Sequence, residues 1–130
     1  TLPHEKAQPL VVLDYEEKFA VAGWEGSEAA DEKMVCVGRW FLDRGTNMAE
    51  LALTVHPDWQ SKGIGSFLFE TMVQVAREKG ISGFTAEVLS SNRRVMSILS
   101  RSGFDVHSRL EDGVFSVSFR FDQRRGGEAT

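Results

Sequence analysis

The stretch of this chain best equipped for chemistry is Val55-His56-Pro57-Asp58-Trp59-Gln60-Ser61-Lys62-Gly63-Ile64-Gly65-Ser66. Pro57 ends an apolar run, because proline removes a ladder donor from a strand. From Gly63 onward the apolar positions Ile64, Phe67, Leu68, Met72, Val75 and Ala76 recur at helical spacing. The segment therefore joins a strand to a helix through a short glycine-containing loop. Successive loop N–H groups and the unpaired N–H groups of a first helical turn make a concave anion site. Glycine lets the main chain come close to a phosphate, so a pyrophosphate is the natural guest. A dinucleotide fingerprint is excluded because its third glycine falls on Leu68. A nucleoside-triphosphate loop is excluded because Lys62 precedes the glycine instead of following it.

The elements that must hold this loop follow from periodicity and breakers. Leu10-Val11-Val12-Leu13 is apolar and fits a helix end or a strand. Lys18–Trp24, Lys33–Leu42 and Ala49–Val55 read as strands, separated by the turn-forming runs Gly26–Glu32 and Asp43–Asn47. The helix from Gly63 closes at Lys79, with Gly80 as its left-handed residue and Arg77 and Lys79 in the last turn. Gly83–Leu89 is a strand and Asn92–Ser102 a shorter helix closed by Gly103. Phe104–Leu110 and Val114–Phe121 form a hairpin across Glu111-Asp112-Gly113. Residues 1–122 make one domain of the mixed α/β (α+β) class, a mostly antiparallel central sheet with packed helices. Gln123–Thr130 is a polar, glycine-bearing tail expected to be disordered.

Composition narrows the function. The chain has 130 residues and a formal net charge of −4, which gives no electrostatic reason to expect nucleic acid and mildly favours a cationic amine. No apolar run reaches the ~20 residues of a membrane span, and nothing points away from the cytoplasm. The single cysteine, Cys36, excludes an internal disulfide and sits in an apolar run as a buried thiol. His4, His56 and His107 show no ligand spacing, so no metal is expected. His56 reads as a turn residue, Met96 and Phe104 as core, and Trp24, Trp40 and Trp59 as packing or interface residues.

The form Gln60-x-x-Gly63-x-Gly65 resembles the acetyl-CoA loop of the GNAT N-acetyltransferases. The preceding strand, Asn92 and the Arg101-Ser102-Gly103-Phe104 ending lie at the spacing of that family. Ala49–Val55, Gly65–Leu68 and Leu89–Asn92 look closest to the acetyltransferase domains of bacterial Pat-type protein lysine acetyltransferases. The resemblance covers about Glu16 to Phe121 and implies helices on both faces of the sheet. It also implies that the strands Ala49–Val55 and Gly83–Leu89 splay apart around the pantetheine arm. Leu53, Thr54 and Val55 would bind that arm through their backbone. Gln60, Ser61, Lys62, Gly63, Ile64, Gly65 and Ser66 would hold the pyrophosphate, and Asn92 the arm or the loop. Lys62, Arg93 and Arg94 could reach phosphates or be solvated.

Acetyl transfer to an amine needs a base, since a lysine of pKa ~10.4 is only about 0.04% neutral at pH 7. Glu50 is the one ionisable side chain within Ala49–Val55, and it matches the glutamate of the Pat-type domains. An exposed position on a half-solvated strand is its plainer reading. Two departures accompany the resemblance. The tyrosine that many GNAT enzymes offer the departing thiolate is replaced by Leu99, the only tyrosine being Tyr15. The family's opening strand and two helices are shortened or missing before Lys18. The acceptor implied is a protein lysine side chain, with a small-molecule amine or a non-catalytic acyl-CoA-binding regulatory module as alternatives. A homodimer or a larger-chain context fits the same reading.

Overall fold

The computed structural model describes residues 7–25, 33–56 and 63–125. In chain order the elements are β1 (Ala7–Asp14), β2 (Lys18–Glu25), β3 (Lys33–Asp43), β4 (Met48–Val55), α1 (Ile64–Glu78), β5 (Gly83–Leu89), α2 (Arg93–Ser100), β6 (His107–Glu111) and β7 (Val114–Arg120). They build one seven-stranded sheet in the order β1-β2-β3-β4-β5-β7-β6. Every pairing is antiparallel except β4 with β5. The apolar run Leu10–Leu13 is thus strand, laid directly along β2.

Strand alternation sorts the core onto one face. In β4 Ala49, Leu51, Leu53 and Val55 are buried while Glu50, Ala52 and Thr54 are exposed. Phe19 and Trp40 stack on the buried side with ring centroids 5.7 Å apart. Phe119 meets Phe69, Phe84, Phe104 and Phe121 at 5.1–6.1 Å, joining β7 to α1, β5 and the segment after α2. Such ring pairs each add about 0.5–1.5 kcal/mol beyond their buried area. The close seat of α1 needs Gly38: a Cβ there would lie 2.5 Å from Met72 Sδ and 3.2 Å from Leu68 Cδ2.

Both helices lie on this same face, for a Cβ on Gly65 of α1 would fall 2.7 Å from Ile98 Cδ1 of α2. The family layout of helices on both faces is therefore narrowed here to a one-sided cover among the described residues. The physical reason lies in the chain between the strands. The three residues between β1 and β2 form only a tight turn, closed by a 2.8 Å bond from Tyr15 N–H to the Lys18 carbonyl. There is no length for a helix between them.

The ends of the elements differ slightly from the periodicity. α2 stops at Ser100, and the hairpin strand begins at His107, across the two-residue turn Asp112-Gly113 with φ of 54° and 78°. Phe104 instead bridges to Arg124. The expected disordered tail is corrected for its first residues: Asp105 N–H bonds the Gln123 carbonyl, Arg125 N–H the Gly103 carbonyl. The Arg124 guanidinium lies 4.5 Å from the centre of the Phe104 ring, so the chain has an aromatic surface to return to. Residues 126–130 and the turn Gly26–Glu32 lie outside the described residues.

Candidate functional site

The parallel pair β4–β5 is short. Its register holds only for Met48↔Gly83, Ala49↔Phe84 and Glu50↔Thr85. Beyond that point Leu51–Val55 keep their partners in β3 and Ala86–Leu89 keep theirs in β7. The two halves of the sheet thus part after Glu50. The paired end is clamped by Asn47, at φ 58°, whose Nδ2 donates to the Gly80 carbonyl at 2.8 Å and to Ser82 Oγ at 3.0 Å. Ser82 N–H returns a 2.8 Å bond to the Asn47 carbonyl.

Glu50 stands where the strands part, on the face away from α1 and α2. A lateral row of register partners crosses that face: Lys18, Phe41, Glu50, Thr85, Ser118 and His107. A cavity of about 400 Å³ opens there, walled by Glu50, Thr85, Glu87, Ser116 and Ser118. Leu53, Thr54 and Val55 edge the gap on the β4 side, with Leu53 and Val55 turning their side chains into the core.

The second half of the site lies at the start of α1. Gln60, Ser61 and Lys62 fall outside the described residues. Gly63 precedes the helix at φ 84°, a conformation that favours glycine, and a Cβ there would meet no atom within 4 Å. Gly65 is glycine for another reason, the close approach of Val55 and Ile98. The first helical bond is donated by Phe67 to the Gly63 carbonyl at 3.0 Å, so Ile64, Gly65 and Ser66 direct their N–H groups outward from the helix start. Among the described residues no side chain caps this end, and no acidic residue lies in the first turn. Its positive dipole end is left for an external anion.

Val55, Gly63, Gly65 and Ser66 line a cavity of about 240 Å³ whose far wall is Arg94 and Ser97 of α2 with Arg101 just past its end. Arg101 Nε donates to Ser97 Oγ at 3.2 Å, which holds the guanidinium along the cavity wall. Sequence reading passed over Ser97 and Arg101; the i, i+4 spacing of the two was the available signal. Asn92 does structural work as well, its Oδ1 accepting from Val95 N–H at 3.3 Å to cap α2. Arg93 shares with Asn92 and Arg94 an adjoining cavity of about 400 Å³. A larger cavity of about 530 Å³ between α1 and α2 has the apolar floor Phe69, Val73, Ile98 and Phe104 and borders the anion pocket at Ser66 and Arg101.

Leu99 is fully buried, and Tyr15 lies at the β1–β2 turn two strands from β4. Cys36 is buried, and desolvation pushes its thiol above the usual range against a smaller opposing hydrogen bond from Gly23. It stays a thiol, unsuited to nucleophilic work. Among the described residues no group of His, Cys, Asp or Glu could hold a metal, and no helix is long and apolar enough to cross a membrane.

Residues 3–104 match the sequence profile of the Acetyltransferase (GNAT) family. The chain belongs to the GNAT acetyltransferase family. It is 36% identical over 96 residues to acetyltransferase Pat of Mycolicibacterium smegmatis, a match spanning 72% of this chain and 28% of Pat. The cAMP-binding acyltransferase from Mycobacterium smegmatis superposes with a TM-score of 0.66 at 30% identity, covering 82% of this chain and 32% of that one. The GNAT domain of S. lividans PAT gives a TM-score of 0.66 at 27% identity, covering 83% of this chain and 63% of that one. The chain thus spans under a third of the Pat relative and of the cAMP-binding acyltransferase. The start of α1 at Ile64 falls within the Gln60-x-x-Gly63-x-Gly65 motif.

Proposed function

We propose that this domain transfers acetyl from acetyl-CoA directly to an amine, with a protein lysine side chain as the acceptor and Glu50 as the base. The observation that carries the reading is the parting of β4 and β5 immediately after Glu50, which puts a carboxylate at the mouth of a gap between two strands that no longer pair with each other. Likeness to the Pat proteins supports the lysine acceptor. A cytoplasmic setting, where acetyl-CoA is at hand, goes with it.

The residues present fit such a donor. Gly63, Gly65 and Ser66 offer backbone N–H groups, and Arg94 and Arg101 offer guanidinium groups, around one pocket of pyrophosphate size. Leu53, Thr54 and Val55 offer strand backbone to the amides of a pantetheine arm. Asn92, with its oxygen committed to the α2 cap, has its amide hydrogens to give. When bound, acetyl-CoA supplies the thioester carbon, where the C–N bond to the amine forms as the C–S bond breaks. Glu50 takes a proton from the bound ammonium through a water at the solvent-open gap mouth, which frees the amine lone pair to attack. The departing thiolate, of ordinary pKa ~8.5, leaves without the family's tyrosine and is protonated by solvent.

Titration with acetyl-CoA and CoA, with NAD as control, tests the reading. Micromolar binding of both CoA species and none of NAD is expected. Ser66→Asp is the informative variant: an acid in the first turn favours the helix dipole, so the melting temperature holds or rises, while the added charge weakens acetyl-CoA about tenfold or more. A folded wild-type protein that binds neither CoA species rejects the assignment.

A further inference from the structure

Glu87 carries no role in the reading so far, yet its position is unusual for a solvated strand residue. On β5 it lies two residues beyond Thr85, the last residue paired to β4, and projects from the same face as Glu50. Two residues of strand advance it about 7 Å along the gap. It therefore stands on the bank opposite β4, where β5 has lost its neighbour, and it walls the same cavity as Glu50. No basic side chain lines that cavity, and among the described residues neither carboxylate has an ion-pair partner.

The cations around the cavity on this face make no ion pair with either carboxylate among the described residues. Arg39 stands beside Ala52 on β3, diagonal to Glu50, and Arg120 turns its Nη1 to Met48 Sδ at 4.0 Å. Lys18 holds its Nζ over the rings of Tyr15 and Phe41, at 5.5 and 5.8 Å from their centres. Arg109 is separated from Glu87 by Ser116, in the register Glu87↔Ser116↔Arg109, roughly two strand spacings or 9.6 Å away. Beside Ala86 and Val117 the wall carries the hydroxyl groups of Thr85, Ser116 and Ser118, which accept from an N–H as readily as they donate. Two unpaired carboxylates across the mouth of one hydroxyl-lined gap form a receptor for a cation.

We propose that Glu87 is a specificity-determining residue of the acceptor site, holding the ammonium of a cationic primary amine across the gap from Glu50. This rests on the acetyl-transfer reading and adds to it a division of labour between two carboxylates. Glu50 removes the proton; Glu87 attracts and orients the charged form before attack. The nitrogen is cationic both in the bound ammonium and in the tetrahedral adduct, so Glu87 stabilises ground and transition states alike. Its loss then appears in KM for the acceptor and spares kcat.

The test uses the chain as it stands, acetyl-CoA, and a short peptide bearing one lysine among glycines and alanines. Glu87→Gln is expected to raise the peptide KM about fivefold, with kcat, acetyl-CoA affinity and melting temperature unchanged. Glu87→Asp restores part of the loss. Raising salt from about 0.05 to 0.5 M should raise the wild-type KM and leave the Gln variant nearly flat, since that salt shrinks the screening length well below 10 Å. A Gln variant whose KM stays within twofold of wild type overturns the role of Glu87 while transfer itself stands. A fall in kcat at constant KM overturns it too. Acetyl-CoA binding without transfer to the lysine peptide rejects Glu87 as a lysine-ammonium receptor, whereas absence of acetyl-CoA binding removes the acetyl-transfer reading beneath it.

Discussion

The two faces of the sheet are built from the same strands and differ in everything else. One face presents Trp40, Leu51, Phe84 and Phe119 to α1 and α2, and these side chains are nearly or wholly removed from water. The other presents Lys18, Phe41, Glu50, Thr85 and Glu87, and no helix of the described residues covers it. Alternation at period two lets neighbouring residues serve opposite ends: Trp40 packs while Phe41 is about half exposed, and Ala49 packs while Glu50 faces the gap. Stability is concentrated on the helix-bearing side, and polar, reactive groups are left on the side that solvent and an acceptor can reach. Such a division predicts that substitutions one residue apart will report on different properties.

The largest effect should come from emptying the packed face. Trp40→Ala removes the most voluminous fully buried side chain and the partner of Phe19, and should cost about 3–5 kcal/mol in denaturant unfolding. Trp40→Phe should be far milder. Among the described residues the indole N–H of Trp40 is buried without an acceptor, so the swap loses volume but removes an unsatisfied donor. A loss as large as that of the alanine variant would mean that the N–H has a partner after all.

Next comes the exposed face. Glu50→Gln should lower kcat by about 10²-fold or more at pH 7 with the melting temperature held, because the amide keeps the shape but accepts no proton. An unchanged kcat would mean that bulk water suffices as base, and would erase the functional half of the comparison. The smallest effect is the sharpest control. Phe41→Ser, beside Glu50 in the register and under Lys18 Nζ, should cost about 1–2 kcal/mol. A loss of several kcal/mol would show that this face is packed against something in the protein as purified.

Much of the frame was readable from residue order. Gly80 and Gly103 closed the two helices as their positions suggest, with φ of 80° and 88°, and Gly63 opened the first at 84°. Pro57 and the change from strand to helical spacing marked the loop, and Glu50 stood out as the one ionisable residue of β4. Those signals are local, carried by backbone restrictions and by period. Glu87 gave no such signal, because an acidic residue on a strand is commonplace alone, and Arg101 gave only its i, i+4 spacing to Ser97. They gain meaning through proximity, Glu87 to Glu50 across the parted strands and Arg101 to Gly63 and Ser66 across the helix pair.

The sequence by itself determined the element order from Lys18 onward, the glycine-bearing loop at the start of α1 and the buried Cys36, and it singled out Glu50 as a candidate, since each depends on a few consecutive side chains and their spacing. The tertiary structure alone decided that β4 and β5 stop pairing after Glu50 and Thr85, that both helices share a face, and that Gln123–Arg125 fold back on Gly103–Asp105. These depend on contacts between residues far apart in the chain. Asn47 clamping the α1–β5 turn, Gly65 admitting Ile98, and Arg124 stacking on Phe104 are pairings that no local period encodes.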